Sequence, residues 1–280
     1  MPELSLDSSL GLGLAAWLFA LGGAVGSFLN VVVYRLPLGL SLVSPSSHCP
    51  VCKHPIRWHD NLPIVGWFVL RGRCRDCRTR ISFRYPLVEA VTAVVFLTVG
   101  MADGGRLAGA EGFGMMLGLT AYHGMVLATL LAAALIQYDG QRPPSRLFVP
   151  AILAGFLAPT VWPHLRPPPT VFSPAGPLGG VFEGIGAAVV GFFLGRAVGL
   201  LFGPRDRREL PLELALAGLF VGGLSILAVG LLFAAIHATI QVLKTWRPGL
   251  QRTTPGIWLF VLVWAWALAW TPLVERFKMP

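Results

Sequence analysis

Apolar stretches near 11–33, 86–102, 115–137, 147–163, 179–203 and 256–272 punctuate the chain, each close to the roughly 20 residues a helix needs to cross a bilayer. A segment inside a bilayer must satisfy its own backbone hydrogen bonds, so such a series commits the fold to an all-α, polytopic membrane bundle. Composition agrees. Hydrophobic residues make up 55% of the 280, charged residues 12%, and the mean hydropathy is +0.69, values that exclude an ordinary soluble domain.

A further stretch, 210–243, is 34 residues long. As one helix rising about 1.5 Å per residue it would reach roughly 50 Å, against a hydrocarbon core of about 30 Å. Gly222-Gly223 in its middle predicts a break into two helices, which brings the expected count to about eight spans. With that break, the loops 35–85, 138–146, 204–210 and 244–255 share one side and carry 17 of the 22 Lys and Arg. Arg106, Arg166, Arg276 and Lys278 fall opposite, and Arg196 lies within a span. Basic loops stay cytoplasmic, so the first set is expected inside.

Met1–Leu10 carries Glu3 and Asp7 but no basic residue, whereas Arg35 follows the first span. That order predicts a retained first helix with its N-terminus outside. The net charge of +9 then follows from topology and is no sign of nucleic acid, which tethering beside a bilayer also disfavours. Arg71, Arg73, Arg75, Arg78, Arg80 and Arg84 are nevertheless dense enough to meet anionic lipid headgroups. The segment 164–178, with Pro167-Pro168-Pro169, Pro174 and Pro177, reads as an extended connection, and no fixed-period repeat is evident.

The basic loop 35–85 holds all four cysteines, as Cys49-Pro50-Val51-Cys52 and Cys74-Arg75-Asp76-Cys77. Two CxxC pairs separated by 21 residues match a tetrahedral zinc site with four thiolate ligands, Cys49, Cys52, Cys74 and Cys77. A thioredoxin-like redox pair would open a helix in a βαβ unit, and none surrounds either pair. Disulfides need an oxidising compartment, whereas the charge bias puts this loop in the cytoplasm. His48, His54 and His59 read as solvated loop residues outside the site. Four thiolates close the shell, so the zinc is expected to be structural, with no open position for an activated water.

From the end of the first span the chain reads Gly26-Ser27-Phe28-Leu29-Asn30-Val31-Val32 and Tyr34-Arg35-Leu36-Pro37, then Asp60-Asn61-Leu62-Pro63, Leu70-Arg71-Gly72-Arg73-Cys74, Ile81-Ser82 and Arg84-Tyr85-Pro86-Leu87-Val88-Glu89. Over about residues 26–95 this closely resembles the amino-terminal region of the prepilin leader peptidases, bifunctional peptidase and N-methyltransferase enzymes of type IV pilus and type II secretion systems. The resemblance implies an aspartic-type endopeptidase of the bacterial inner membrane that cleaves the leader of pilin-like or pseudopilin precursors. It also implies N-methylation of the new N-terminus from S-adenosylmethionine. Asn30, Asp60, Asn61 and Glu89 are the polar candidates around that loop, equally readable as caps and loop anchors.

The family cleaves with two aspartates, one ionised as base while its neighbour keeps a proton. Its first motif, Ile-Asp-x-Asp then Ile-Pro-Asp-x-Leu-x-x-Pro, corresponds here to Ile136-Gln137-Tyr138-Asp139 and Pro143-Pro144-Ser145-Arg146-Leu147-Phe148-Val149-Pro150. The first aspartate falls on Gln137, whose carboxamide cannot take the proton, and the second acid on Asp139. The second motif, Gly-x-Gly-Asp-x-Lys-Leu before Ala-x-x-Gly-x-x-x-Gly, keeps its tail as Ala215-Leu216-Ala217-Gly218 and Gly222, but its aspartate falls on Leu210. Asp139 and the adjacent Glu209 are therefore the candidate catalytic carboxyls. Read without the family, Asp206 and Glu209 belong to a solvated charged loop among Arg205, Arg207 and Arg208, and Glu213 opens a helix where an acid suits the dipole. Glu183, Arg196 and His237 lie in or beside spans and receive no catalytic role.

The expected organisation is a first transmembrane helix at 1–34, a zinc-binding loop domain at 35–85 and a transmembrane bundle at 86–272. Three functions compete: leader processing, a catalytically silent relative that keeps substrate docking or methyl transfer, and a transporter whose path is lined by intramembrane charges. The last leaves the cysteine loop unexplained.

Overall fold

The computed structural model describes residues 8–104, 110–161, 179–246 and 254–277; the proline-rich connection lies outside them. The helices are α1 (Ser8–Arg35), α2 (Val65–Val69), α3 (Arg84–Gly104), α4 (Ala110–Tyr138), α5 (Val149–Val161), α6 (Gly179–Phe202), α7 (Pro204–Val221), α8 (Gly223–Trp246) and α9 (Pro255–Phe277). Single 3-10 turns cover Trp58–Asn61 and Ser145–Leu147. Among the described residues there is no strand, only the isolated bridges His48–Pro55 and Arg73–Arg80, so the all-α expectation holds. Among the described residues five helices, α1, α3, α4, α6 and α8, are long and apolar enough to cross a membrane, while Ser145–Thr160 and Pro255–Ala269 are shorter apolar segments. Of the eight spans anticipated from the sequence, five meet that length and composition.

Two compact units divide the chain, Met1–Gly112 and Phe113–Pro280. In the first, α1 and α3 approach through Gly22 and Gly26, four residues apart on one helical face. A Cβ on Gly22 would stand 2.6 Å from the Thr92 carbonyl oxygen, and one on Gly26 would stand 2.7 Å from Glu89 Cα. Small residues at this spacing let two backbones close without a hydrophobic drive, the usual solution in lipid.

The second unit repeats that solution between α6 and α7. Gly195 faces Leu210 and Pro211, Gly191 faces Leu214, Gly199 faces Arg207, and in the other direction Gly218 of α7 faces Ala187. The expected break occurs where the sequence placed it: α7 ends at Val221, Gly222 takes φ +85°, and α8 starts at Gly223. Glu183 of α6 accepts the Gly223 amide at 2.8 Å, placing a carboxylate at the N-terminal end of α8.

One segment departs from the sequence reading. The expected loop 204–210 is the start of α7, entered through Pro204 at a position that suits proline. Its charge run hid a helical period. Asp206, Glu209 and Glu213 recur on one face and are buried, at 7%, 9% and 1% exposure, while Arg207 and Arg208 point outward. Asp206 and Glu209 are therefore not solvated, and Glu213 sits in mid-helix rather than at a helix start.

Candidate functional site

In the first unit the loop between α1 and α3 folds as two matching knuckles. Cys49 N–H donates to the His54 carbonyl (3.0 Å), Lys53 N–H to Cys49 (2.9 Å) and Ile56 N–H to Ser47 (2.8 Å). Twenty-five residues on, Cys74 N–H donates to Thr79 (2.8 Å), Arg78 N–H to Cys74 (3.1 Å) and Ile81 N–H to Gly72 (2.8 Å). Lys53 and Arg78 both take the left-handed conformation, at φ +62° and +61°, which turns the chain under each cysteine pair. This short internal repeat escaped the sequence reading because few residues beyond the cysteines, the Lys53/Arg78 pair and the Ile56/Ile81 pair recur in type.

The two knuckles bring the four sulfurs together, all within 4.8 Å of one another. Cys49 Sγ lies 3.7 Å from Cys77 Sγ, and Cys52 Sγ lies 4.0 Å from Cys74 Sγ. Disulfide sulfurs stand about 2.05 Å apart. A tetrahedron with metal–sulfur arms of about 2.3 Å has edges near 3.8 Å, which these separations match. The cluster could hold a metal ion. Amides of Cys52 and Val51 hydrogen-bond the Cys49 thiol and bring its pKa down to about 6. For Cys52 the His54 amide acts in the same direction, but burial and the neighbouring thiols outweigh it and push the value up to about 12. His54 and Asp76, both exposed, stand near Cys52 as a further group of possible ligands.

Three polar candidates of this region, Asn30, Asp60 and Glu89, make anchoring contacts. Arg75 grips Asp60 through two hydrogen bonds of 2.7 and 2.5 Å, and that pairing holds the Asp60 carboxyl below its ordinary range. Glu89 of α3 accepts the Ile64 amide at 2.6 Å and so fixes the entry to α2. Asn30 donates to the Tyr85 carbonyl at 3.2 Å, and Arg35 donates to Ser41 and Pro45, tying the loop back to the end of α1. Trp67 donates to the Ile81 carbonyl at 3.1 Å and meets Phe83 edge-on, linking α2 to the second knuckle.

In the second unit, Gln137 at the end of α4 faces Glu213 of α7: the carboxamide nitrogen donates to the Glu213 carboxylate at 2.5 Å, with both side chains 1% exposed. Gly256 at the start of α9 leaves room for this amide, since a Cβ there would stand 2.7 Å from Gln137 Oε1. Leu210 is fully buried one turn away. Asp139 is exposed on the turn after α4, whereas Glu209 is buried in α7. Beside them, Asp206 lies 3.1 Å from His237 Nε2, and Gln241 reaches the same nitrogen at 3.2 Å. His237 stacks on Phe233 and takes the edge of Phe202. The Gln137–Glu213 pairing and the Asp206–His237 contact were missed by the sequence reading. The buried periodicity of 206, 209 and 213 was the available signal.

Spanning-length helices joined by a four-thiol loop define a multi-pass membrane protein with a metal-competent cap. Residues 20–102 match the model of the Bacterial Peptidase A24 N-terminal domain. The chain is 41% identical over 156 residues to a prepilin leader peptidase/N-methyltransferase of Myxococcus xanthus (strain DK1622), covering 55% of this chain and 43% of that protein. Proteins of the same name from Klebsiella pneumoniae (41% over 150 residues; 51% and 60% covered) and Neisseria gonorrhoeae (36% over 182 residues; 56% and 58% covered) are similar. The chain thus spans about half the length of the curated relatives it matches. No solved structure matches it. Over residues 20–102 the chain is thus similar to that domain, and over about half of its length to prepilin leader peptidases, as the motif order had led us to expect.

Proposed function

We propose that the chain takes type IV pilin-like precursors at the bacterial inner membrane and acts in their processing, which in its relatives is named as leader cleavage and N-methylation. The observation that carries this is the thiol cluster, 3.7–4.0 Å between paired sulfurs, built within the segment that matches the family domain. Zinc is the fitting metal: four thiolates, tetrahedral spacing and no vacant ligand position make it a brace and not a reagent. The loop it braces lies between α1 and α3, and the excess of basic residues supports a cytoplasmic position with the N-terminus outside. The methyl donor implied by the relatives' name is S-adenosylmethionine, which supplies an electrophilic methyl group; this chain's part is to hold the amine terminus of the substrate.

For cleavage, Asp139 and Glu209 remain the acids adjoining the family positions, and Glu213 joins them on geometric grounds. A carboxylate opposite a carboxamide favours the second reading, a relative that docks and methylates without cutting. The Gln137 amide donates permanently where a protonated acid would donate and then release, so this contact does not pass a proton to or from Glu213. The test is the full chain in vesicles with a precursor bearing a basic leader and methyl-labelled S-adenosylmethionine. Leader loss with labelling supports processing. Labelling of a pre-trimmed precursor alone supports the second reading, and neither product, with zinc bound, overturns both.

A further inference from the structure

A cavity of about 580 Å³ opens beside the second knuckle, lined by Val69, Leu70, Arg71, Arg73, Arg75 and Arg78. Four guanidinium groups around one space repel one another unless something negative enters. Arg75 already has its counter-charge in Asp60, and the other acid of the loop, Asp76, lies 3.8 Å from Arg57. Arg71, Arg73 and Arg78 are exposed and make no ion pair among the described residues. Their backbone is held in place by other constraints. Arg71 and Arg78 sit in the left-handed region, at φ +52° and +61°, Arg78 within the cysteine knuckle and Arg71 at the end of α2. Gly72 between them lies against the Trp67 ring. The cationic wall is thus preorganised by the same contacts that form the cap.

The remaining wall is apolar and continues outward. Val65, Phe68 and Val69 occupy one face of α2, three and four residues apart, and are 55%, 59% and 65% exposed. Trp67 on the opposite side is turned in, onto Ile81 and Phe83. The loop that carries this face leaves α1 at Arg35 and enters α3 at Arg84, so both of its ends are fixed where spanning helices begin or stop. A protruding apolar helix face beside a fork of unpaired arginines, tethered at a bilayer surface, has the composition of a phospholipid contact.

We propose that this cleft binds the phosphate of an anionic phospholipid headgroup, with the α2 face seated among the acyl chains. Guanidinium forks take phosphate oxygens in pairs. A choline headgroup would bring its own cation against Arg71, Arg73 and Arg78 with no unengaged acid to receive it, so phosphatidylglycerol is favoured over phosphatidylcholine. The site goes beyond precursor processing and does not depend on it.

The experiment uses the zinc-loaded full chain in nanodiscs of phosphatidylcholine with or without 30 mol% phosphatidylglycerol, about one lipid in three, a fraction chosen to resemble an anionic bilayer. Arginine modification by phenylglyoxal is mapped by mass spectrometry. Phosphatidylglycerol is expected to protect Arg71, Arg73 and Arg78 at least about threefold relative to Arg80, which does not line the cavity. Equal modification in the two nanodiscs overturns the proposal. Native mass spectrometry of retained lipid supplies the variant arm. Arg71→Gln with Arg78→Gln is expected to lose most of the bound phosphatidylglycerol, and Lys53→Gln with Arg80→Gln to keep it, with zinc content equal in both. Equal loss in the two pairs reduces the effect to net charge and overturns the site. Phe68→Ser is expected to weaken retention of the lipid, while millimolar glycerol phosphate fails to compete. Full displacement by glycerol phosphate would assign the cleft to a free phosphate and overturn the lipid assignment.

Discussion

Gln137 is the residue that the sequence reading aligned with a family aspartate, and its neighbour shows what such an exchange would do. A carboxylate and a carboxamide 2.5 Å apart form a stable hydrogen bond, whereas two carboxyls at that distance must share a proton because both cannot ionise. Gln137→Glu is therefore expected to produce a proton-sharing pair with Glu213 and to raise leader cleavage above the wild-type level in the vesicle assay; no rise would remove Glu213 from consideration as an acid–base group. Gln137→Leu removes a buried hydrogen bond to Glu213 and is expected to lower stability by about 1–3 kcal/mol, read as a shift in thermal unfolding. In the cap, Asp60 titrates below its ordinary value because Arg75 holds the ionised form. Its stabilising share is present above the unfolded value, about 3.9, and is lost as pH falls through the lower folded value. Protease resistance of residues 35–85, compared between wild type and Asp60→Asn as pH is lowered from 6, is expected to differ at the outset and to narrow only once pH falls below the unfolded value.

At the scale of elements, the paired glycines that let α1 meet α3 and α6 meet α7 set a strict volume limit. Gly195→Leu would drive a side chain into the Leu210 and Pro211 backbone and is expected to destabilise the second unit by at least about 1–3 kcal/mol, measurable as a lower unfolding temperature in detergent. The apolar runs showed where the long helices lie, and the length of 210–243 showed the division at Gly222. What the residues concealed was α7's first turns. Arg205, Arg207 and Arg208 dominate the local composition, so the segment looked solvated, although Asp206, Glu209 and Glu213 repeat with a helical period that only tertiary burial makes meaningful. The cysteine spacing, by contrast, carried its geometry openly, because a metal tetrahedron admits few arrangements of two CxxC pairs. The lipid-facing role argued for α2 could not be read at all from five residues lacking a recognisable period.

For the whole molecule, the loop between α1 and α3 has little apolar interior of its own. Chelation with a membrane-permeant zinc ligand is expected to expose residues 35–85 to proteolysis while the helices of Phe113–Pro280 keep their far-ultraviolet signal, and Cys74→Ser should reproduce that pattern without chelator. Unchanged cleavage of the loop after metal removal would mean that the Asp60, Trp67 and Glu89 anchors suffice alone. The contact between Glu183 and Gly223 carries a further implication for biogenesis. Glu183 precedes the turn it serves by 40 residues, so the acceptor has already left the ribosome when Gly222 and Gly223 emerge. The chain can thus fold back as it is translated, before α9 exists to hold it, and the insertion machinery need never accommodate the 210–243 stretch as one overlong rod.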